Sequence, residues 1–137
     1  MKKIIFMASL IIAALAFNIC FANSYDDDPN FDYVVTANGG THYLNLRTID
    51  IVQYSPPQYQ IAGTFIHVSP QADGKEQVSS RYVQILFDWD TKETFHKDTY
   101  GNWEKSNVEG DTTNATVNRK FADALFRAAF KMDFYGY

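Results

Sequence analysis

A chain of 137 residues with 12 lysines and arginines against 16 aspartates and glutamates carries a net charge of −4. That balance repels nucleic acid and anionic membrane surfaces, so neither is an expected partner. A single cysteine excludes a disulfide framework, and an aromatic share of 16% favours strands over helices.

The chain opens with Lys2 and Lys3, an apolar run from Ile4 to Ala16 broken only by Ser9, and then Cys20-Phe21-Ala22. Positive start, greasy core and small residues, in that order, are the pattern of a secretory signal peptide. The run is too short for a comfortable membrane span. We therefore expect residues 1–22 to be cleaved, with Ala16 as the alternative site, and the product to be periplasmic, cell-surface or secreted. Loss of Lys2 and Lys3 takes the basic residues from 12 to 10 against 16 acidic ones, a net of −6. A lipid anchor on Cys20 would need a small residue before it. Ile19 stands there, so Cys20 reads as part of the export signal.

Residues 23–30 hold Asp26-Asp27-Asp28-Pro29 and no periodicity, the composition of a flexible acidic leader. Residues 31–137 read as one α+β domain. Phe31–Thr36 is the first expected strand. Asn38-Gly39 after it marks a tight hairpin, because both residues tolerate positive φ. His42–Leu46 is the second strand, residues 47–50 a turn or a single helical turn, and Ile51–Tyr54 a further extended piece stopped by Pro56-Pro57. Tyr59–Val68 is apolar on both faces and so central. Tyr59, Ile61, Phe65 and His67 share one face, and Gly63 marks a close approach. A polar loop spans residues 69–80 with Asp73-Gly74 at its tip. Arg81–Trp89 alternates cleanly, with Val83, Ile85, Phe87 and Trp89 on one face and Arg81 at its head. Glu93–Tyr100 and an edge strand Trp103–Val108 follow. An edge of that kind would support sheet-to-sheet dimerisation.

The period then changes. Asp111-Thr112-Thr113-Asn114 offers helix N-caps. Val117, Phe121, Ala124, Leu125, Ala128 and Met132 recur at steps of three and four, the inner face of a helix ending near Asp133. Arg119, Asp123 and Arg127 are spaced for i,i+4 ion pairs on the outer face. The expected architecture is an antiparallel sheet of about six strands with one C-terminal helix packed on it, after a cleaved signal peptide.

The chemistry-bearing residues are sparse. There is no phosphate loop, nucleophile elbow or thiol set. His42, His67 and His96 lie far apart in sequence, and read as independent imidazoles rather than a metal site. Asp88, Asp90 and Glu93 at a strand end would hold a cation or act as acid and base. Aspartate at a strand exit more often serves the turn itself. The three aspartates 26–28 read as a solvated run. Asn114-Ala115-Thr116 fits a glycosylation acceptor but also a helix start. Tyr54, Tyr59, Tyr82, Tyr100, Trp89 and Trp103 flank turns and strand ends, where amphipathic aromatics supply binding area. No catalytic, cofactor or metal residue is assigned, and no cofactor is implied.

Tyr43-Leu44-Asn45-Leu46-Arg47-Thr48-Ile49 and Arg81–Asp90, followed by the C-terminal helix, resemble bacterial surface-adhesin protein E-like domains over about Thr41 to Phe134. The chain is also similar to small uncharacterised exported proteins of anaerobic bacteria, through Tyr54-Ser55-Pro56-Pro57-Gln58-Tyr59. The adhesin resemblance implies a sheet with a C-terminal helix, exposed on the envelope, sometimes dimeric and binding host proteins. The cysteine pair of many relatives is missing here, so a disulfide-linked dimer is not implied. Together these readings give an exported, non-enzymatic interaction domain with an envelope or host protein as partner. The alternative is a small periplasmic enzyme or cation-binding protein using acidic or histidine side chains, Asp88, Asp90 or a histidine.

Overall fold

A computed structural model describes residues 25–136, and the signal-peptide reading falls outside them. Six strands form one antiparallel sheet in chain order: β1 (Phe31–Ala37), β2 (Gly40–Ser55), β3 (Gln58–Pro70), β4 (Glu76–Asp88), β5 (Glu93–Lys97) and β6 (Trp103–Lys105). One helix, α1 (Thr113–Phe130), packs on one face. This is the expected α+β architecture. Among the described residues no helix is long and apolar enough to cross a membrane.

Local chemistry sets each connection. Asn38 and Gly39 both take positive φ, 54° and 76°, so a two-residue turn joins β1 to β2 with the twist the hairpin needs. Ser55 pairs with Gln58 across Pro56-Pro57, whose bond is cis. Thr112 accepts the Ala115 N–H at 3.2 Å and caps α1, and Lys131 in the left-handed region ends it.

The core lies between α1 and the inner sheet face. Leu44, Ile61, Phe65, Ile85 and Phe87 meet Ala122, Leu125 and Phe126. Gly63 lets this happen. A Cβ there would lie 2.9 Å from Leu125 Cδ2 and 3.2 Å from both Ile49 Cδ1 and Leu44 Cδ1. The close approach expected from the sequence is thus the helix itself. Phe126 and Phe134 close the far end against Phe87 and Trp89, with ring centroids 5.0–5.7 Å apart.

Several expectations are corrected. No turn interrupts the second strand at residues 47–50. β2 runs on through an irregular register, because Thr48 Oγ1 donates to the Asn45 carbonyl at 2.7 Å and accepts the Thr64 N–H at 2.8 Å. The side chain replaces a missing ladder bond. The loop expected over 69–80 shrinks to 71–75, since Glu76–Ser80 pair with β3 residue by residue although Val78 is their one apolar side chain. The edge strand at 103–108 is only three residues long, as Ser106 onward leads toward the helix. Met132 is 51% exposed, because α1 stops at Phe130.

Asp123 is not on the outer face. It is 3% exposed, and its Oδ1 accepts the Tyr135 N–H at 2.8 Å, tying the C-terminal segment to α1. Burial raises its pKa above the ordinary carboxylate value, partly offset by backbone N–H groups of Tyr135 and Phe134. Arg119 instead holds the Val108 and Gly110 carbonyls, and Arg127 pairs with Asp133 at 3.2 Å. The segment expected as a flexible leader makes specific contacts from Tyr25 onward. The Tyr25 ring meets Phe31 and Tyr43, and the Tyr43 hydroxyl donates to Asp26 at 2.8 Å.

Candidate functional site

The helix and sheet diverge toward the N-terminal end of α1. Asn114, Val117, Asn118 and Phe121 form one stripe on α1, and the polar members are too small to fill the gap. Opposite them, the sheet register sets His42 beside His67 and Ser79, Phe65 beside Arg81, and Ile85 beside His96. The result is a cleft of about 510 Å³, lined by these residues with Asn38, Ser80, Val83 and Ser106. A volume of that size suits a small organic ligand.

All three histidines of the chain line this cleft. The sheet therefore brings together imidazoles that the sequence separates. His42 and His67 stack with centroids 4.4 Å apart and planes at 20°, and the Phe121 edge meets His42 at 5.2 Å. Their Nε2 atoms are buried without a hydrogen-bond partner among the described residues. His67 Nε2 also packs against Gly40, where a Cβ would collide with it. Among the described residues, no three His, Cys, Asp or Glu side chains are placed to hold a metal ion. Desolvation lowers the His42 pKa below its ordinary value, and His67 lowers it further, while a backbone hydrogen bond to Ala37 opposes both.

His96 differs. Its Nδ1 is 3.0 Å from Ser106 Oγ, and its Nε2 is 3.8 Å from Glu104 Oε2. In serine hydrolases the hydroxyl meets Nε2 and the acid meets Nδ1. Here the order is reversed, Glu104 is beyond hydrogen-bond reach, and Ser106 is buried at 7% exposure. The arrangement orients His96 along the cleft wall; it does not build a nucleophile.

Charge is the distinguishing feature. No carboxylate lines the cleft, although the chain is acidic overall. Arg81 is exposed, makes no ion pair or hydrogen bond among the described residues, and contributes to the cleft lining. Phe65 and Phe121 stack at 4.1 Å with parallel planes, Phe65 buried beneath and Phe121 half-buried at the cleft. The lining thus combines a permanent cation, neutral amide and hydroxyl groups, and apolar surface.

The other residues singled out in the sequence lie elsewhere. Asp88 Oδ1 accepts the Asp90 and Thr91 N–H groups, each at 3.1 Å, and these bonds lower its pKa, Thr91's most of all. It serves the turn, as the commoner role of such aspartates predicts. Glu93 pairs with Lys105 at 2.6 Å. Asp28 Oδ1 accepts from Asn30. Tyr54, Tyr59 and Trp89 gather with Phe126, Phe130 and Met132 around a small recess of about 190 Å³ at the opposite end of the domain. Tyr100 is 89% exposed on a turn, and Trp103 lies under Lys97. Asn114 sits in the first turn of α1 and lines the cleft. Sequence reasoning passed over Arg81, Asn38, Asn118 and Ser106. The one available signal was Arg81 itself, a cation at the head of an otherwise apolar inward face.

No family model, no curated protein and no solved structure matches this chain. The class is therefore defined by the fold and the site alone: an α+β sheet-and-helix domain with a cationic, carboxylate-free cleft between its two layers.

Proposed function

We propose that this chain is an exported, non-enzymatic binding domain that takes a small organic anion in the cleft between α1 and the sheet. The observation that carries the reading is the unpaired Arg81 guanidinium in a cleft without carboxylates. In an acidic chain an unpartnered arginine facing a concave surface has an incoming anion as its natural counter-charge. The carboxylate of such a ligand meets Arg81, and its flat body lies against Phe121, the half-buried member of the Phe65–Phe121 stack. Export rests on the Lys2–Ala22 pattern, with an envelope or secreted location as the corollary. The non-enzymatic part rests on the reversed Ser106–His96–Glu104 order and its 3.8 Å His96–Glu104 separation. The enzyme or cation-binding alternative draws on the same three imidazoles, but their stacking favours it less than the anion reading.

A thermal-shift titration with benzoate, acetate and sulfate tests this. Benzoate at a hundredfold excess over its dissociation constant raises stability by about 2.7 kcal/mol. The expected order is benzoate above acetate and sulfate, with the benzoate shift lost in Arg81→Ala. Equal shifts in Arg81→Ala and the parent chain would overturn the proposal.

A further inference from the structure

β4 is longer than the strand that covers it. β5 pairs with it only from Ile85 to Asp88, so Glu76–Gln84 is bonded to β3 on one side and has no strand on the other, where Lys97, Asp98 and Thr99 face Arg81–Gln84 across a recess of about 290 Å³. Natural edges are blunted by proline, lysine, bulges or brevity. β1 carries a register shift at Val34, and β6 has three residues and ends in Lys105. Glu76–Gln84 has no proline, lysine or bulge, its charges being Glu76 at one end and the inward Arg81, and its register against β3 runs unbroken from Gln58↔Asp88 to Pro70↔Glu76. Two large apolar side chains stand exposed on its outer face, Val78 at 49% and Tyr82 at 63%.

These two residues lie symmetrically about Ser80. We infer that a second copy of this chain pairs antiparallel with the open edge of β4, about a two-fold axis through Ser80 and normal to the sheet. That register sets Val78 opposite Tyr82 of the second copy, twice, and buries the exposed apolar pair. Ser79 falls opposite Arg81 of the second copy, and Gln77 opposite Val83. No like charges meet. Neighbouring registers are worse: an axis at Arg81 sets two guanidinium groups face to face, and one at Ser79 sets Tyr82 against Glu76. β5 occupies the edge beyond Ile85, so the new ladder spans Gln77–Val83 in each copy and joins two sheets into one. Ser79 lines the cleft, so the second copy's Arg81 arrives on its rim. The pairing rests on the edge and not on what the cleft binds. It also relocates the dimerisation expected at residues 103–108, where β6 is too short to template a partner.

The test uses the chain expressed with its own N-terminal segment in a secreting bacterial host. Sedimentation equilibrium is measured over a concentration series reaching the millimolar range. The expected result is a reversible monomer–dimer equilibrium. Val78→Lys and Tyr82→Lys each remove two cross-strand pairs and weaken association by about tenfold or more. Both positions are exposed, so the melting temperature of the monomer stays unchanged. In a Cys20→Ser background, Ser80→Cys forms a disulfide-linked dimer under mild oxidation, because the axis brings the two copies of residue 80 together. Val78→Cys does not. A chain that stays monomeric throughout, a dimer indifferent to Tyr82→Lys, or cross-linking at residue 78 as ready as at residue 80 would each overturn the inference.

Discussion

Gly63 is a point where Leu125 of the helix packs directly over the sheet, and substituting it reads out the packing directly. Its φ is not positive, so alanine meets no backbone strain there. The added methyl would instead lie 2.9 Å from Leu125 Cδ2 and 3.2 Å from Ile49 Cδ1 and Leu44 Cδ1. Overpacking of this kind costs about 1–3 kcal/mol, against a gain of about 0.4–1 kcal/mol from a stiffer unfolded chain. Leu125→Ala alone empties a fully buried site and costs about 2–5 kcal/mol. In the Leu125→Ala background the closest obstacle is gone, and Leu44 and Ile49 have room to turn aside. There Gly63→Ala becomes neutral or stabilising. Urea unfolding of the four chains in the cycle measures the coupling, which should favour the double variant by about 1–3 kcal/mol. Strict additivity would show that the helix does not rest on Gly63 as described.

Three further outcomes follow from the same contacts. Asp123→Ala strands the Tyr135 N–H and should cost about 1–3 kcal/mol in urea melts, whereas Asp123→Asn keeps the acceptor and stays within about 1 kcal/mol of the parent. Equal losses would deny the hydrogen bond its role. His42 has a folded pKa below its ordinary value near 6.5, so the unfolded chain takes up the proton first. Stability should therefore fall as pH drops through about 6.5 and level off below the folded value. His42→Phe should reduce that slope in thermal melts at pH 7.5 to 5. Thr112→Ala removes the N-cap acceptor and should cost about 0.5–2 kcal/mol, while Thr112→Ser restores most of it in the same assay.

The parts of the fold legible in the sequence are those set by neighbours a few residues apart. Asn38-Gly39 specifies its own turn, Val83-Ile85-Phe87 its own face, and Val117 to Ala128 its own helix stripe. Gly63 was legible as a gap, because a strand that is apolar on both sides has no other use for glycine. Other features depend on partners distant in sequence. Thr48 continues β2 only because the Thr64 N–H lies across from it. Asp123 is buried because Tyr135 needs an acceptor, which the i,i+4 spacing to Arg119 and Arg127 conceals. Glu76–Ser80 has no apolar pattern, and it is a strand because β3 offers a continuous row of backbone partners. The cleft belongs to this second kind: no spacing announces that His42, His67 and His96 share a wall, since three different register pairings bring them there.

Those three histidines also give the most direct measurement. The chain has no others, and all three line the cleft. A proton NMR titration of the imidazole Cε1–H signals with benzoate reads the proposed site alone. The account predicts saturable shifts with one common dissociation constant, strongest at the open His96 and abolished in Arg81→Ala. Imidazole signals that do not move while benzoate binds elsewhere, or shifts that persist undiminished in Arg81→Ala, would contradict it.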